Sequence, residues 1–437
     1  MDSVLPPAKE IPEAFAASFR SWWSAAGEKE STISEERLLR RALPFFRSTY
    51  TPPSSSCSKK TITEDNTHIQ PVTEANGPLS ATSTKVHLSK PKHYINTLSI
   101  TSNKPSPNAP PPAVMLHGYG AGLGFYFHNF PTMASWAASK GTSVYALDWL
   151  GMGRSARVPF SIKAKRDDTP ARVAEAESFF IDSLEEWRSK MGLKEMTLIG
   201  HSLGAYFSVA YALKYPDRVN KLILLSPAGV PRGPNYTEPS RELTDDASDT
   251  HSTQGRSDIQ RATAGKVKDI RDEQKEKKAH ESRTRKLFTY LWEEGWSPFQ
   301  VVRSTLFFSP MLIGKYSTRR FTGLSEEETR DVHDYIMNIT LAKGSGEYCI
   351  SHILAPGAHA RMPLVDRVKD LKKDLPITFV YGEHDWMDPV GGFASLENLK
   401  KVGNHNGKMY IVTNAGHHVY LDNKEKVNEL LLRELDR

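Results

Sequence analysis

A doubly wound α/β sheet carrying a large insertion is the fold class that this 437-residue sequence predicts. Short β-forming runs alternate with helical stretches, the pattern of repeated strand, helix and strand units. The later runs are almost wholly apolar, as parallel strands covered on both faces must be. The alternation then breaks between Pro227 and Pro376, a gap of about 150 residues that fits an insertion into one enlarged domain better than two independent domains.

Residues 1–50 hold Phe15, Phe19, Trp22 and Trp23 and then an Arg-bearing apolar stretch over 38–46, which predicts two short amphipathic helices. Adjacent tryptophans beside Phe19 have the composition of an interfacial anchor, because indole rings settle at the headgroup level; packing against the domain body is the alternative. Residues 51–83, rich in Ser, Thr, Pro and Asn, read as a flexible linker. The first part of the core, 84–232, carries expected strands at 85–88, 93–101, 113–116, 143–147, 196–200 and 221–226, with helices at 132–139, 172–191 and 205–215. Residues 233–286 are dominated by charge, acidic over 238–249 and basic over 256–286. Such a block buries too little apolar area to offset its ordering entropy and predicts a mobile excursion or a solvated helix. Large apolar residues return over 287–360, among them Trp292, Trp296, Phe299, Phe307, Phe308 and Leu312, and predict a lid over a hydrophobic substrate tunnel. The second part of the core, 361–437, adds strands at 377–381 and 408–412 with a helix at 391–400 between them and a last helix over 424–435. The expected result is an eight-stranded, mostly parallel sheet with helices on both faces and an inserted lid.

Composition narrows the function. At 38% hydrophobic and 25% charged residues the chain is neither wholly disordered nor a polytopic membrane protein. No apolar run reaches the roughly 18 residues of a spanning helix, so membrane contact is expected to be peripheral. Cys57 and Cys349 stand far apart and offer neither a disulfide framework nor a CxxC metal site, which predicts a reducing, intracellular setting. The net charge of +6 divides into +2 over 1–100, +5 over 101–237, +1 over 238–286 and −2 over 287–437. No segment is a basic arm, so no nucleic-acid partner is expected; the excess over 101–237 suits contact with an anionic surface such as that of a lipid.

Chemistry concentrates in Gly200-His201-Ser202-Leu203-Gly204, a G-x-S-x-G sequence between an apolar strand and a helical run. The tight turn leaves no room for side chains at Gly200 or Gly204 and presents Ser202 Oγ at a helix N-terminus, where N–H groups favour developing negative charge. A serine hydroxyl needs a base, and the base needs an acid to orient it. His417, after Gly416 in the loop that follows the last strand, is the expected base; His384 and His418 are read as structural or merely adjacent imidazoles. Asp385 and Asp388, both in the sequence after Gly382, compete for the acid, with Asp385 preferred. The order Ser, Asp, His is that of the α/β-hydrolase arrangement. Leu203, directly after the nucleophile, and Tyr119, in the glycine-rich turn His117-Gly118-Tyr119-Gly120, are the expected oxyanion donors. The run Asp148-Trp-Leu-Gly151-Met-Gly153-Arg154-Ser155 reads as a glycine turn passing near the pocket. Asp422, five residues after His417, is expected to cap the helix over 424–435, with a direct part in acyl transfer as the sharper alternative.

These residues carry a resemblance. HGYGAGLGFYFHNF from His117, LDWLGMGRSAR from Leu147, EEWR from Glu185, GHSLGAYF from Gly200, LKYPDRVNKLILLSPAG from Leu213 and GHHVYLD from Gly416 resemble one α/β-hydrolase subfamily. It contains the lipid-droplet lipase co-activator, the N-acyl-phospholipid lysophospholipase and the yeast mitochondrial cardiolipin-specific deacylase, with fungal-type members the most similar. The resemblance implies a phospholipid or lysophospholipid substrate, a peripheral place on a membrane or lipid droplet, and either a mitochondrial location at the inner membrane or a cytoplasmic one at lipid droplets. For some members it also implies acyl transfer to lysophosphatidic acid through the positions of His417 and Asp422, and it places the acid of close relatives at Asp388. The co-activator lacks the nucleophile that Ser202 supplies here. The expected activity is therefore phospholipid acyl-ester hydrolysis, cardiolipin included, with lysophosphatidic acid acyltransferase or non-catalytic co-activator as alternatives. Neither a metal nor an organic cofactor is required by that chemistry.

Overall fold

Apolar strands stack edge to edge across the middle of the molecule, a computed structural model that describes residues 5–25, 27–47, 77–233 and 289–437. The strands are β1 (Phe46–Arg47), β2 (Leu79–His87), β3 (Tyr94–Ser102), β4 (Ala113–Leu116), β5 (Ser143–Leu147), β6 (Met196–His201), β7 (Val219–Leu225), β8 (Ile377–Gly382) and β9 (Gly407–Val412), in the spatial order β1-β2-β3-β5-β4-β6-β7-β8-β9. Pairing is antiparallel between β2 and β3 and between β3 and β5, and parallel everywhere else in the sheet. All eight expected strands are present. The ninth, β1, adds a two-residue edge from the N-terminal segment, where Phe46 pairs with Ala81. The segment expected to be linker as far as 83 already belongs to β2 from Leu79 onward. Its small and β-branched residues lack an apolar pattern, and pairing with β3 supplies what the pattern does not. Residues 51–76 of the expected linker and nearly all of the charged insertion lie outside the described residues.

Helices cover both faces. On one face α4 (Thr169–Lys190) and α5 (Leu203–Lys214) bury Phe180, Trp187, Tyr206, Phe207 and Tyr211 against Leu198, Leu222 and Phe379. On the other, α2 (Glu28–Ala42), α3 (Phe130–Lys140) and α10 (Lys424–Leu435) close over Met115, Ile199 and Ile223. The N-terminal helix α1 (Phe15–Trp23) lies on the surface, and α9 (Val390–Lys401) connects β8 to β9.

The inserted region contributes α6 (Pro298–Ser304), α7 (Ser309–Arg320) and α8 (Glu326–Leu341). A reciprocal capping box between Ser325 and Glu328 starts α8, and every residue from Asp331 to Thr340 is buried. Ion pairs from Arg37 to Asp334 (3.0 Å) and from Arg41 to Asp331 (2.7 Å) fasten α8 to α2. This helix is part of the core; the exposed apolar side chains of the insertion are Tyr290, Trp296, Leu306, Phe308, Leu312 and Tyr316, on α7 and in the segments before it.

Candidate active site

Every expected catalytic residue lies at the C-terminal end of a parallel strand, the position where open α/β sheets place their crevice. Ser202 follows β6 and begins α5 with φ 52° and ψ −116°, a left-handed conformation that a non-glycine residue holds only when its surroundings impose it. They do. A Cβ on Gly200 would stand 2.6 Å from the Gly204 carbonyl oxygen, and one on Gly204 would stand 2.4 Å from that of Leu116. The Ser202 N–H donates to the Leu225 oxygen at 2.9 Å, and its carbonyl accepts the Ala228 N–H at 3.1 Å.

Two loops from the far end of the sheet complete the constellation. His417 Nε2 lies 3.0 Å from Ser202 Oγ, and its Nδ1 lies 3.0 Å from Asp385 Oδ1. The Asp385 side chain is 1% exposed, and Oδ1 also accepts the Met387 N–H at 3.0 Å. Asp388, the competing acid, is exposed and accepts the Val390 N–H at the start of α9. Of the loop histidines it is His417 that lies between Ser202 and Asp385. His384 is exposed, its backbone N–H donating to the Ala415 oxygen. His418 is enclosed beside Phe125 and His201, and burial pushes its pKa well below the usual imidazole value. The exposed Trp386 ring stands 4.9 Å from that of His417, at the mouth of the site.

The glycine-rich loop after β4 lies directly against the nucleophile: a Cβ on Gly118 would approach Ser202 Cβ to 2.8 Å. His117 is fully buried, with Nδ1 2.8 Å from the Gly118 oxygen while Nε2 accepts the Trp149 N–H at 3.2 Å. Burial pushes its pKa down to about 4, so at neutral pH it is an uncharged brace for the loop. Tyr119 follows Gly118 and packs its ring on Phe299 of α6 at 5.1 Å; Leu203 opens α5. Both expected oxyanion donors therefore belong to segments adjoining Ser202.

Four residues have supporting roles that the sequence reading did not assign. Asp148 is more than part of a glycine turn: it accepts hydrogen bonds from the Leu123 N–H, the Asn96 amide and the Arg154 N–H, each at 2.8 Å. It thereby ties the glycine-rich loop to β3 and β5. Glu35 of α2 joins the cluster through Asn96 and Arg154; burial pushes its pKa up to about 7 against the pull of Arg154. The only signal for Asp148 was an acid directly after an apolar strand, and Glu35 gave none, since its partners are 61 and 119 residues away.

The remaining two, His201 and Asp422, flank the base. His201 Nε2 lies 2.9 Å from the His417 carbonyl oxygen. Asp422 accepts the Gly416 N–H on Oδ2 at 2.9 Å and pairs with Arg320 of α7 through Oδ1 at 2.9 Å. The expected capping role falls to Asn423, whose side chain accepts the Lys426 N–H at 3.2 Å. Asp422 ends the separate short helix Val419–Asp422, and its carboxylate reaches back over that turn, leaving the residue beside α10 to cap it.

The expected anchor residues lie on α1. Trp23 is 77% exposed, whereas Trp22 is partly buried. Phe15 contacts Phe307 and Phe308 at ring distances of 5.2 and 5.5 Å, so α1 and the turn that enters α7 share one apolar face; Phe19 on α1 and Leu312 and Tyr316 on α7 are exposed. No described helix is long and apolar enough to cross a membrane.

A sequence profile for the alpha/beta hydrolase fold matches residues 111–424. A protein from Arabidopsis thaliana named 1-acylglycerol-3-phosphate O-acyltransferase is 33% identical over 341 residues, 77% of this chain and 68% of its own. The human (lyso)-N-acylphosphatidylethanolamine lipase is 28% identical, covering 77% of this chain and 82% of its own. The human 1-acylglycerol-3-phosphate O-acyltransferase ABHD5 is also 28% identical, over 73% and 75%.

Proposed function

This chain belongs to the α/β-hydrolase family, and from that premise we propose that it is a serine-dependent phospholipid acyl hydrolase working at a lipid surface. The observation that carries the reading is the unbroken hydrogen-bond line from Ser202 through His417 to buried Asp385. Ser202 Oγ attacks the ester carbonyl as its proton passes to His417 Nε2, and Asp385 holds the imidazole in the tautomer that can accept it. N–H groups of Tyr119 and Leu203 take the oxyanion. Collapse returns the proton to the departing lysophospholipid oxygen; water, deprotonated by His417, then releases the fatty acid from Ser202. Glycerophospholipids are the proposed substrates, cardiolipin among them. The shared aromatic face of α1 and α7 is the proposed contact with the membrane or droplet.

A second reading keeps the acyl-enzyme and replaces water by the hydroxyl of lysophosphatidic acid. The names of the Arabidopsis and human acyltransferase relatives favour it. One assay tests both: vesicles with acyl-labelled phospholipid, with and without lysophosphatidic acid, read for free fatty acid and phosphatidic acid. Hydrolysis predicts that fatty acid dominates and that Ser202→Ala lowers it roughly 10⁴-fold or more. Phosphatidic acid outpacing fatty acid would make transfer the primary activity. Undiminished function in Ser202→Ala would instead leave a non-catalytic adaptor.

A further inference from the structure

We propose that Asp422 is a positioning residue for the catalytic base, held by Arg320, so that helix α7 and the His417 loop share one anchor. The inference rests on His417 being the base. Three observations support it. The Asp422 carboxylate is occupied at both oxygens, by the Gly416 N–H and by Arg320, each at 2.9 Å. Gly416 immediately precedes His417, and His201 lies 2.9 Å from the His417 carbonyl oxygen, so the base is gripped on both backbone sides. The opposite end of α7 is pinned as well: Ser18 Oγ of α1 donates to the Phe307 oxygen at 2.6 Å and accepts the Met311 N–H at 3.2 Å.

The twelve residues of α7 thus span about 18 Å between the aromatic face of α1 and the loop of the base. Asp422 at this spacing does mechanical work. Removing its carboxylate frees the Gly416 N–H and lets the imidazole drift from its 3.0 Å approach to Ser202. It also cuts the tie to α7 through Arg320. A reacting acyl acceptor is not needed to explain why an acid stands five residues after the base.

The roles separate in the full-length protein carrying Asp422→Ala, Asp422→Asn or Arg320→Ala. Three rates are measured, each normalised to the folded fraction from a thermal melt: hydrolysis of a soluble short-chain ester, acyl transfer to lysophosphatidic acid, and covalent labelling of Ser202 by a fluorophosphonate. Positioning predicts that Asp422→Ala lowers all three by a common factor of about 10²-fold, the scale of a 1 Å misplacement. KM should stay within about twofold while kcat falls. Asp422→Asn keeps an acceptor for Gly416 and recovers most of the loss, and Arg320→Ala falls between the two.

Unchanged hydrolysis and labelling with transfer alone collapsing would overturn the inference and make Asp422 a group of the transfer chemistry. All three rates unchanged would overturn it as well. Should Asp422→Ala not fold, Arg320→Ala decides: a parallel loss in all three rates, with Asp422→Asn near wild type, supports the inference, and three unchanged rates in Arg320→Ala overturn it. Failure of the underlying reading looks different: wild-type Ser202 would not label, whatever stands at position 422.

Discussion

Around Ser202, imidazole and aromatic rings are sealed into the sheet, while on the face shared by α1 and α7 rings of the same kind stand open to solvent. The side chains of Ser202, His117, His201 and Asp385 are buried; His117 accepts the Trp149 N–H just after β5, and His201, at the end of β6, lies 2.9 Å from the His417 carbonyl oxygen. Phe15, Phe19, Trp23, Phe308, Leu312 and Tyr316 are 42% or more exposed, and α1 is held to the start of α7 by Ser18 and ring contacts. Under the proposed function the difference separates two tasks. Proton transfer needs groups fixed to fractions of an ångström in a dry setting; meeting a lipid surface needs apolar area that water still covers.

The largest expected effect tests the sealed region. Asp385→Asn leaves the shape of the site but upsets the tautomer of His417, so kcat should fall about 10⁴-fold, while Asp388→Asn should stay within about threefold of wild type. A soluble ester assay checks this; equal losses, or the larger loss at Asp388, would break the assignment of the acid. Next comes the open face. Removing Phe19 and Trp23 together deletes two insertable rings worth about 1.5–3 kcal/mol each, so vesicle affinity should drop about 10²-fold or more. Hydrolysis of the soluble ester should be unchanged. Unaltered co-sedimentation with anionic vesicles would sink the lipid-contact role of this face, and a parallel fall in soluble activity would erase the division of labour.

The smallest effect is on stability against pH. Burial holds the pKa values of His117, His201, His333 and His418 below the usual imidazole value. As pH falls through about 6.5 the unfolded chain takes up protons that the folded chain refuses, so stability decreases toward pH 4, by about 1.4 kcal/mol for each unit of depression once fully expressed. Glu35, raised to about 7, has the opposite sign: between about pH 4.5 and 7 the folded state keeps a proton that the unfolded state loses. The histidines outweigh it, and the melting temperature should fall from pH 7 to pH 5. A flat or rising profile would mean that these imidazoles are not sealed.

Much of this was legible in the chain. Eight strands, the Ser202 turn and the loop of His417 rest on local rules: an apolar run marks a covered strand, and glycines two residues either side of a serine mark a turn with no room for side chains. Local rules also placed Asp385 and Asp388 after a strand, yet three residues of separation could not choose between them. Burial and the direction of the loop chose, by bringing Asp385 Oδ1 to 3.0 Å from His417. Glu35, Asp148 and Arg154 meet across more than a hundred residues, and the pairing of Arg320 with Asp422 crosses 102. Such contacts leave no periodic trace because each residue, read locally, is an ordinary solvated charge. The sequence by itself determined where the chemistry is presented; the tertiary structure decided which charges brace it, because only folding removes the water that would otherwise satisfy them.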